Sequence, residues 1–227
     1  MESILSKISI MLVPALLAVT VHEVSHGFVA DKLGDPTARL LGRLTFNPIR
    51  HLDPIGTLAL LFFGFGWAKP VPVNFGNMRQ PKQGMVYVAL AGPASNFFLA
   101  FIFAAVLRGI AMLPTDFLTG EALPFIEPIR LMAGFGLYIN TILGVFNLLP
   151  IPPLDGGMVL SGLLPPRQAA LLAKIEPFGF ILLILVIFYT NVWHLFLSPI
   201  VFSVVGILAG QQVVIVDQAM RFLFGQM

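Results

Sequence analysis

The chain has 227 residues, 57% of them hydrophobic and only 11% charged, where a soluble domain carries about 25% charged residues. A mean hydropathy of +0.91 without a long polar stretch excludes a separate soluble domain, and a net charge of +2 is too small to point to nucleic acid. Cysteine is absent, which excludes disulfides and thiolate chemistry.

Five apolar stretches reach the length of about 20 residues that a membrane crossing needs, at residues 8–29, 85–107, 130–150, 175–192 and 195–216. The first of them opens the chain. Ile4 to Val21 carries one basic residue, Lys7, and no small-x-small cleavage signal, so it reads as a retained span and not a signal peptide. It ends in Val21-His22-Glu23-Val24-Ser25-His26. Residues four apart share one face of a helix, so His22 and His26 are placed to grip one metal ion with Glu23 beside them. This is the H-E-x-x-H pattern of zinc hydrolases, where the glutamate is general base. No Lys or Arg lies within a turn of Glu23 to pair with it, and an ionisable residue at membrane depth is functional by default.

Next comes Ile55 to Trp67, with only 13 residues and three glycines. It leads into the proline-broken Trp67-Ala68-Lys69-Pro70-Val71-Pro72-Val73-Asn74. That length suits a re-entrant or interfacial element, with an extended, β-like piece after it. Loop charges decide the same way. If the segment crosses and the N-terminus is cytoplasmic, the 13 basic residues divide almost evenly between the two sides. If it dips in and returns, with the N-terminus outside, ten lie in the cytoplasm and only Lys7, Arg108 and Arg130 outside. The second arrangement obeys the positive-inside rule. It puts His26 about 8 Å of helix from Asp31-Lys32, below the cytoplasmic surface but within the hydrocarbon.

A catalytic zinc site takes three protein ligands and an open position. His51 and His194 read as interfacial side chains without a metal. The better third ligand follows the span at 130–150, in Asn147-Leu148-Leu149-Pro150-Ile151-Pro152-Pro153-Leu154-Asp155-Gly156-Gly157. Three prolines in four positions forbid a continuing helix. Unwound backbone at membrane depth must be buried in protein or line a wet cavity. The paired glycines permit a tight turn and close backbone approach, and the N-out topology brings Asp155 to the level of the histidines. The bland alternative is an aspartate that ends a span at the interface. Asn96, Asn140 and Ser161 read as polar groups that join helices, and Gly134 and Gly136 as sites of close helix packing.

The ordered pair of motifs, His22-Glu23-Val24-Ser25-His26 and Asn147 to Gly157, resembles the site-2 protease family of intramembrane zinc metalloproteases. Trp67 to Asn74 and Ala91-Gly92-Pro93-Ala94-Ser95-Asn96 resemble further hallmarks of its compact prokaryotic branch, which lacks PDZ and CBS domains. The resemblance covers about residues 15–160. It implies one zinc ion per chain on His22, His26 and Asp155, with Glu23 as catalytic base. It also implies that Asn147 steadies the transition state, although Asn147 is equally suited to bond backbone carbonyls freed by the prolines.

The expected molecule is therefore an all-α polytopic membrane protein with five to six transmembrane helices and a short re-entrant or β-like loop after the first. Residues 1–227 form a single protease domain, with a catalytic core at about 8–160 and two further spans at about 175–216. Its expected activity is hydrolysis of peptide bonds in or near transmembrane segments of membrane proteins, as in regulated intramembrane proteolysis. Its site faces the cytoplasm of a prokaryotic cell, and its partners are a transmembrane substrate and the lipid bilayer. The alternative is a metal transporter or sensor built on the same ligands. Transporters show repeats and ionisable residues along a path across the bilayer, whereas these form one cluster and no repeat is visible.

Overall fold

The computed structural model of the protein describes residues 4–56 and 66–225. Residues 57–65, on which the choice between a dip and a crossing at 55–67 turns, lie outside the described residues. The described chain consists of helices and the turns that join them. Its one strand-type pairing among those residues is an isolated antiparallel bridge between Leu52 and Ala68, on either side of the 55–67 segment.

Five helical stretches are long and apolar enough to cross a membrane: Ile4–Leu33, Pro81–Ala111, Leu123–Asn147, Pro166–Val186 and Trp193–Phe224. The protein is thus an all-α, multi-pass membrane protein, with each expected span matched by one of these stretches. Helix α1 (Ile4–Leu33) runs past the predicted boundary because its stop signal lies further on. Gly34, at φ +111°, supplies the left-handed residue, and the Asp35 amide reaches back to the Ala30 carbonyl at 2.9 Å. Thr37–Leu40 forms the short α2. Helix α3 (Pro81–Ala111) begins on a proline, which loses nothing at a first helical position. After α4 (Thr115–Thr119), α5 (Leu123–Asn147) starts about two turns before the predicted span and carries Pro128 inside it. Helices α6 (Asp155–Leu163), α7 (Pro166–Ile175), α8 (Gly179–Tyr189), α9 (Ser198–Ala209) and α10 (Val213–Phe224) complete the chain. The fourth crossing stretch joins amphipathic α7 to apolar α8, and the last is interrupted at Gly210, φ +58°.

Two compact units share these helices. The first comprises the chain up to Ala18, Asn96–Val145 and the chain from His194 onward. Its core gathers Ile10, Leu131, Phe135 and Ala219. Asn96 Nδ2 donates to the Ala18 carbonyl at 3.2 Å and to Asn140 Oδ1 at 3.0 Å, and Asn140 Nδ2 donates to the Gly136 carbonyl at 2.8 Å. Both asparagines are fully buried, so their amides act as interhelical joints in apolar surroundings, as expected of them. A methyl on Gly136 would lie 2.7 Å from the Phe103 ring, which is close packing of the kind the small residue permits. The second unit, Val19–Ser95 with Phe146–Trp193, holds Ala30, Met78 and Val88 as core and contains His22, Glu23, His26, Asn147 and Asp155.

Candidate metal centre

The second half of α1 presents His22 and His26 one turn apart, their ring centroids 4.6 Å from each other and their planes at 83°. The His26 Nδ1 lies 2.7 Å from the Val88 carbonyl on α3. A carbonyl can only accept, so neutral His26 carries its proton on Nδ1 and leaves the Nε2 lone pair facing inward. A backbone partner of this kind orients an imidazole for a metal.

Asp155 is the first residue of α6, and its position follows from the glycines after it. A Cβ on Gly156 would stand 2.3 Å from the Leu148 and Leu149 carbonyl oxygens, and one on Gly157 2.7 Å from the Pro152 nitrogen. Side chains there would push the turn off the end of α5 and carry Asp155 with it. As folded, Asp155 Oδ2 lies 3.1 Å from His22 Nε2 and Oδ1 lies 3.4 Å from His26 Nε2. One ligand atom from each of the three residues falls within 4.8 Å of the others.

The chemistry of this donor set suits a divalent metal. Two imidazole nitrogens and a carboxylate are the three-ligand complement of catalytic zinc. Asp155 Oδ2 is also buried without accepting a hydrogen bond, although an imidazole nitrogen lies close. An orphaned buried carboxylate oxygen is costly unless a cation meets it.

Glu23 ties the cluster to a further segment. Its Oε2 accepts the Val71 amide proton at 2.8 Å, which links the H-E-x-x-H turn to the proline-broken stretch after residue 66. That stretch is fastened along its length. The Lys69 amide donates to the His51 carbonyl at 2.8 Å, and Arg43 Nη2 donates to the Lys69 and Pro70 carbonyls at 2.8 and 3.3 Å. At its far end Asp35 Oδ2 accepts the Asn74 amide at 2.7 Å, while Oδ1 accepts from Asn77 Nδ2 at 2.7 Å and from the Thr37 hydroxyl.

Arg43 and Asp35 escape the sequence reading. Arg43 offers no local signal, but Gly34-Asp35-Pro36-Thr37 has the makings of an Asx turn. His51 proves to be buried, at 1% exposure, with Nε2 2.7 Å from the Thr45 carbonyl, where the sequence suggests an interfacial side chain. Asn147 closes α5 and is half-buried. Exposed His194 belongs to the other unit.

Burial raises the Asp35 pKa, but the hydrogen bonds from Thr37, Asn74 and Asn77 outweigh it and hold the carboxyl below its ordinary 3.8. A depressed carboxylate stabilises the fold above its unfolded-state pKa, and that contribution vanishes as pH falls through the folded-state value. Between neutrality and about pH 5 this tie should therefore be constant, and it should loosen only below about pH 4. Asp35→Ala removes the charged acceptor shared by Thr37, Asn74 and Asn77, at a cost on the order of 1–3 kcal/mol. Thermal unfolding, with limited proteolysis between residues 69 and 77, should show a lower midpoint and faster nicking at unchanged metal content. An unaltered midpoint and nicking rate would remove Asp35 as the fastening.

The sequence pattern described as peptidase family M50 matches residues 121–189, which include Asp155 but not the two histidines. The chain is 42% identical over 200 residues to "Putative zinc metalloprotease YwhC" of Bacillus subtilis, covering 86% of this chain and 87% of that protein. It is 30% identical over 190 residues to Rip2 of Mycobacterium tuberculosis, which bears the same description, covering 81% of this chain and 65% of that one. It is also 23% identical over 163 residues to "Zinc metalloprotease MJ0392" of Methanocaldococcus jannaschii, covering 72% of this chain and 37% of that protein. No solved structure matches the chain.

Proposed function

Because this chain belongs to peptidase family M50, we propose that it is a membrane zinc protease that cuts a peptide bond in or beside a transmembrane segment of another membrane protein, as regulated intramembrane proteolysis requires. The observation that carries this reading is the convergence of His22, His26 and Asp155 within 4.8 Å, where α6 begins after the proline turn. One zinc ion on these three ligands would supply Lewis acidity and lower the pKa of a bound water to near 7.

The chain's own residues do the rest. Glu23, with one oxygen held by the Val71 amide, takes a proton from the attacking water and returns it to the leaving amine. Asn147 donates to the developing oxyanion. A helical substrate has its carbonyls hydrogen-bonded and wrapped, so it must unwind before it can be cut. The stretch after Ala68 suits the unwound peptide as a pairing edge. Val71 gives its amide to Glu23, and Pro70 and Pro72 have none, so pairing falls to the Val71 carbonyl and to Val73 two residues on, which shares its side of an extended strand. A cavity of about 490 Å³ lined by Phe75, Leu154 and Met158 among others begins beside that stretch and the Asp155 turn, and suits an apolar substrate side chain.

The whole chain acts as one protease domain. The loop charges support a site on the cytoplasmic side of a prokaryotic plasma membrane. Mass spectrometry of native membranes tests the reading: cells carrying Glu23→Gln should accumulate an intact single-span protein that the parent removes. Identical membrane proteomes, together with zinc flux through the protein in liposomes, would replace the protease by a transporter.

A further inference from the structure

Helix α3 meets the two imidazoles with backbone alone. Val88 and Gly92 lie four residues apart, on one face of that helix. The Val88 carbonyl holds His26 Nδ1, as described. One turn further, a Cβ on Gly92 would stand 2.5 Å from His26 Nε2 and 2.6 Å from both Nε2 and Cε1 of His22. Its three nearest neighbours would all be imidazole atoms, two of them the ligating nitrogens.

The backbone does not explain a glycine here. Gly92 is not among the residues with positive φ, and it sits inside a long helix, where glycine is less stable than alanine by about 0.5–1 kcal/mol. It precedes Pro93, and a side chain before proline crowds the ring. Yet Val13 precedes Pro14 inside α1 and Glu127 precedes Pro128 inside α5, so this chain accepts a side chain in that position elsewhere.

We propose that Gly92 is a positioning residue for the metal: its missing side chain is the space in which the Nε2 atoms of His22 and His26 converge. This rests on the metal reading of those histidines with Asp155. The three atoms nearest a methyl at position 92 would be the far ends of two side chains, which can swing aside, so the fold absorbs it. Those far ends are the ligand atoms. Zinc holds imidazole nitrogen at about 2.0–2.1 Å, so displacing both tips loses the metal before it loses the fold.

The test compares the full-length parent with Gly92→Ala and with Gly109→Ala, a glycine of the same helix whose Cβ would meet nothing within 4 Å. Zinc affinity is read by competition with a chelator dye, and unfolding is followed on metal-free protein. Gly109→Ala should bind zinc as the parent does. Gly92→Ala should unfold near the parental midpoint when metal-free and bind zinc on the order of 100-fold more weakly, at or beyond the loss from removing a group that orients a ligand.

Parental affinity in Gly92→Ala would overturn the proposal while leaving the metal reading intact. A parent that takes up no zinc would overturn both. If Gly92→Ala does not fold, adding His22→Ala and His26→Ala should restore folding by removing what the methyl meets. Failure to fold in that background would put the clash elsewhere and overturn the proposal.

Discussion

Glu23→Gln is expected to leave one metal ion bound and to slow peptide hydrolysis by about 10²–10⁴-fold, the range a positioned general base supplies. The substitution is informative because the proposed base also holds a backbone amide. Its Oε2 accepts the Val71 amide, and the amide oxygen of a glutamine can accept the same proton at the same reach. The stretch after Ala68 therefore keeps its attachment to α1, and only proton transfer is lost. Glu23→Ala removes both. It leaves the Val71 amide unpaired and should add a rise in KM to the fall in kcat. Single-turnover cleavage of a reconstituted transmembrane substrate, with metal content measured on the same samples, separates the two variants. A Glu23→Gln protein that cuts at the parental rate would strip Glu23 of its role as base.

Asp155→Ala is expected to abolish both cleavage and the stabilisation of the protein by zinc. Any ligand that binds only the folded state adds stability by mass action, about 2.7 kcal/mol at a hundred times its dissociation constant. The parent should therefore unfold at a higher temperature with zinc than with a chelator. With two imidazoles and no carboxylate, the variant should show no such difference. Differential scanning calorimetry with and without zinc reads the outcome. A parental zinc response in Asp155→Ala would take this carboxylate out of the ligand set.

Together the two variants distinguish a group that moves protons from a group that holds the ion. Glu23→Gln keeps the zinc response and loses turnover, whereas Asp155→Ala loses both. A transporter built on the same ligands has no reason to separate them in this way, because its cargo and its structural response are the same event.

Much of this molecule is written in local sequence. A run of about 20 apolar residues crosses a bilayer whatever follows it, so five spans are legible from composition alone. Two histidines four apart share a helix face by the geometry of the helix itself, and Pro150, Pro152 and Pro153 end α5 because they cannot continue it. Even the third partner is traceable, since the paired glycines after Asp155 announce a turn packed against backbone. The boundaries are less visible. Helix α1 continues to Leu33 because its cap lies at Gly34, beyond the apolar run, and the fourth span starts at Pro166 because an amphipathic helix leads into it.

Only the tertiary structure decided what surrounds the site. Glu23 is bonded to an amide 48 residues away, and the proton position on His26 is set by a carbonyl 62 residues away. Arg43 and Asp35 look like ordinary loop charges until the stretch they fasten is folded over α1. Gly92 is one residue of the Ala91 to Asn96 motif until the three atoms nearest its missing side chain prove to belong to the His22 and His26 imidazoles. Periodicity and capping act over about one turn and leave their mark in neighbouring residues. Contacts between distant residues depend on which faces the packed helices turn towards one another, and no short window of sequence records that.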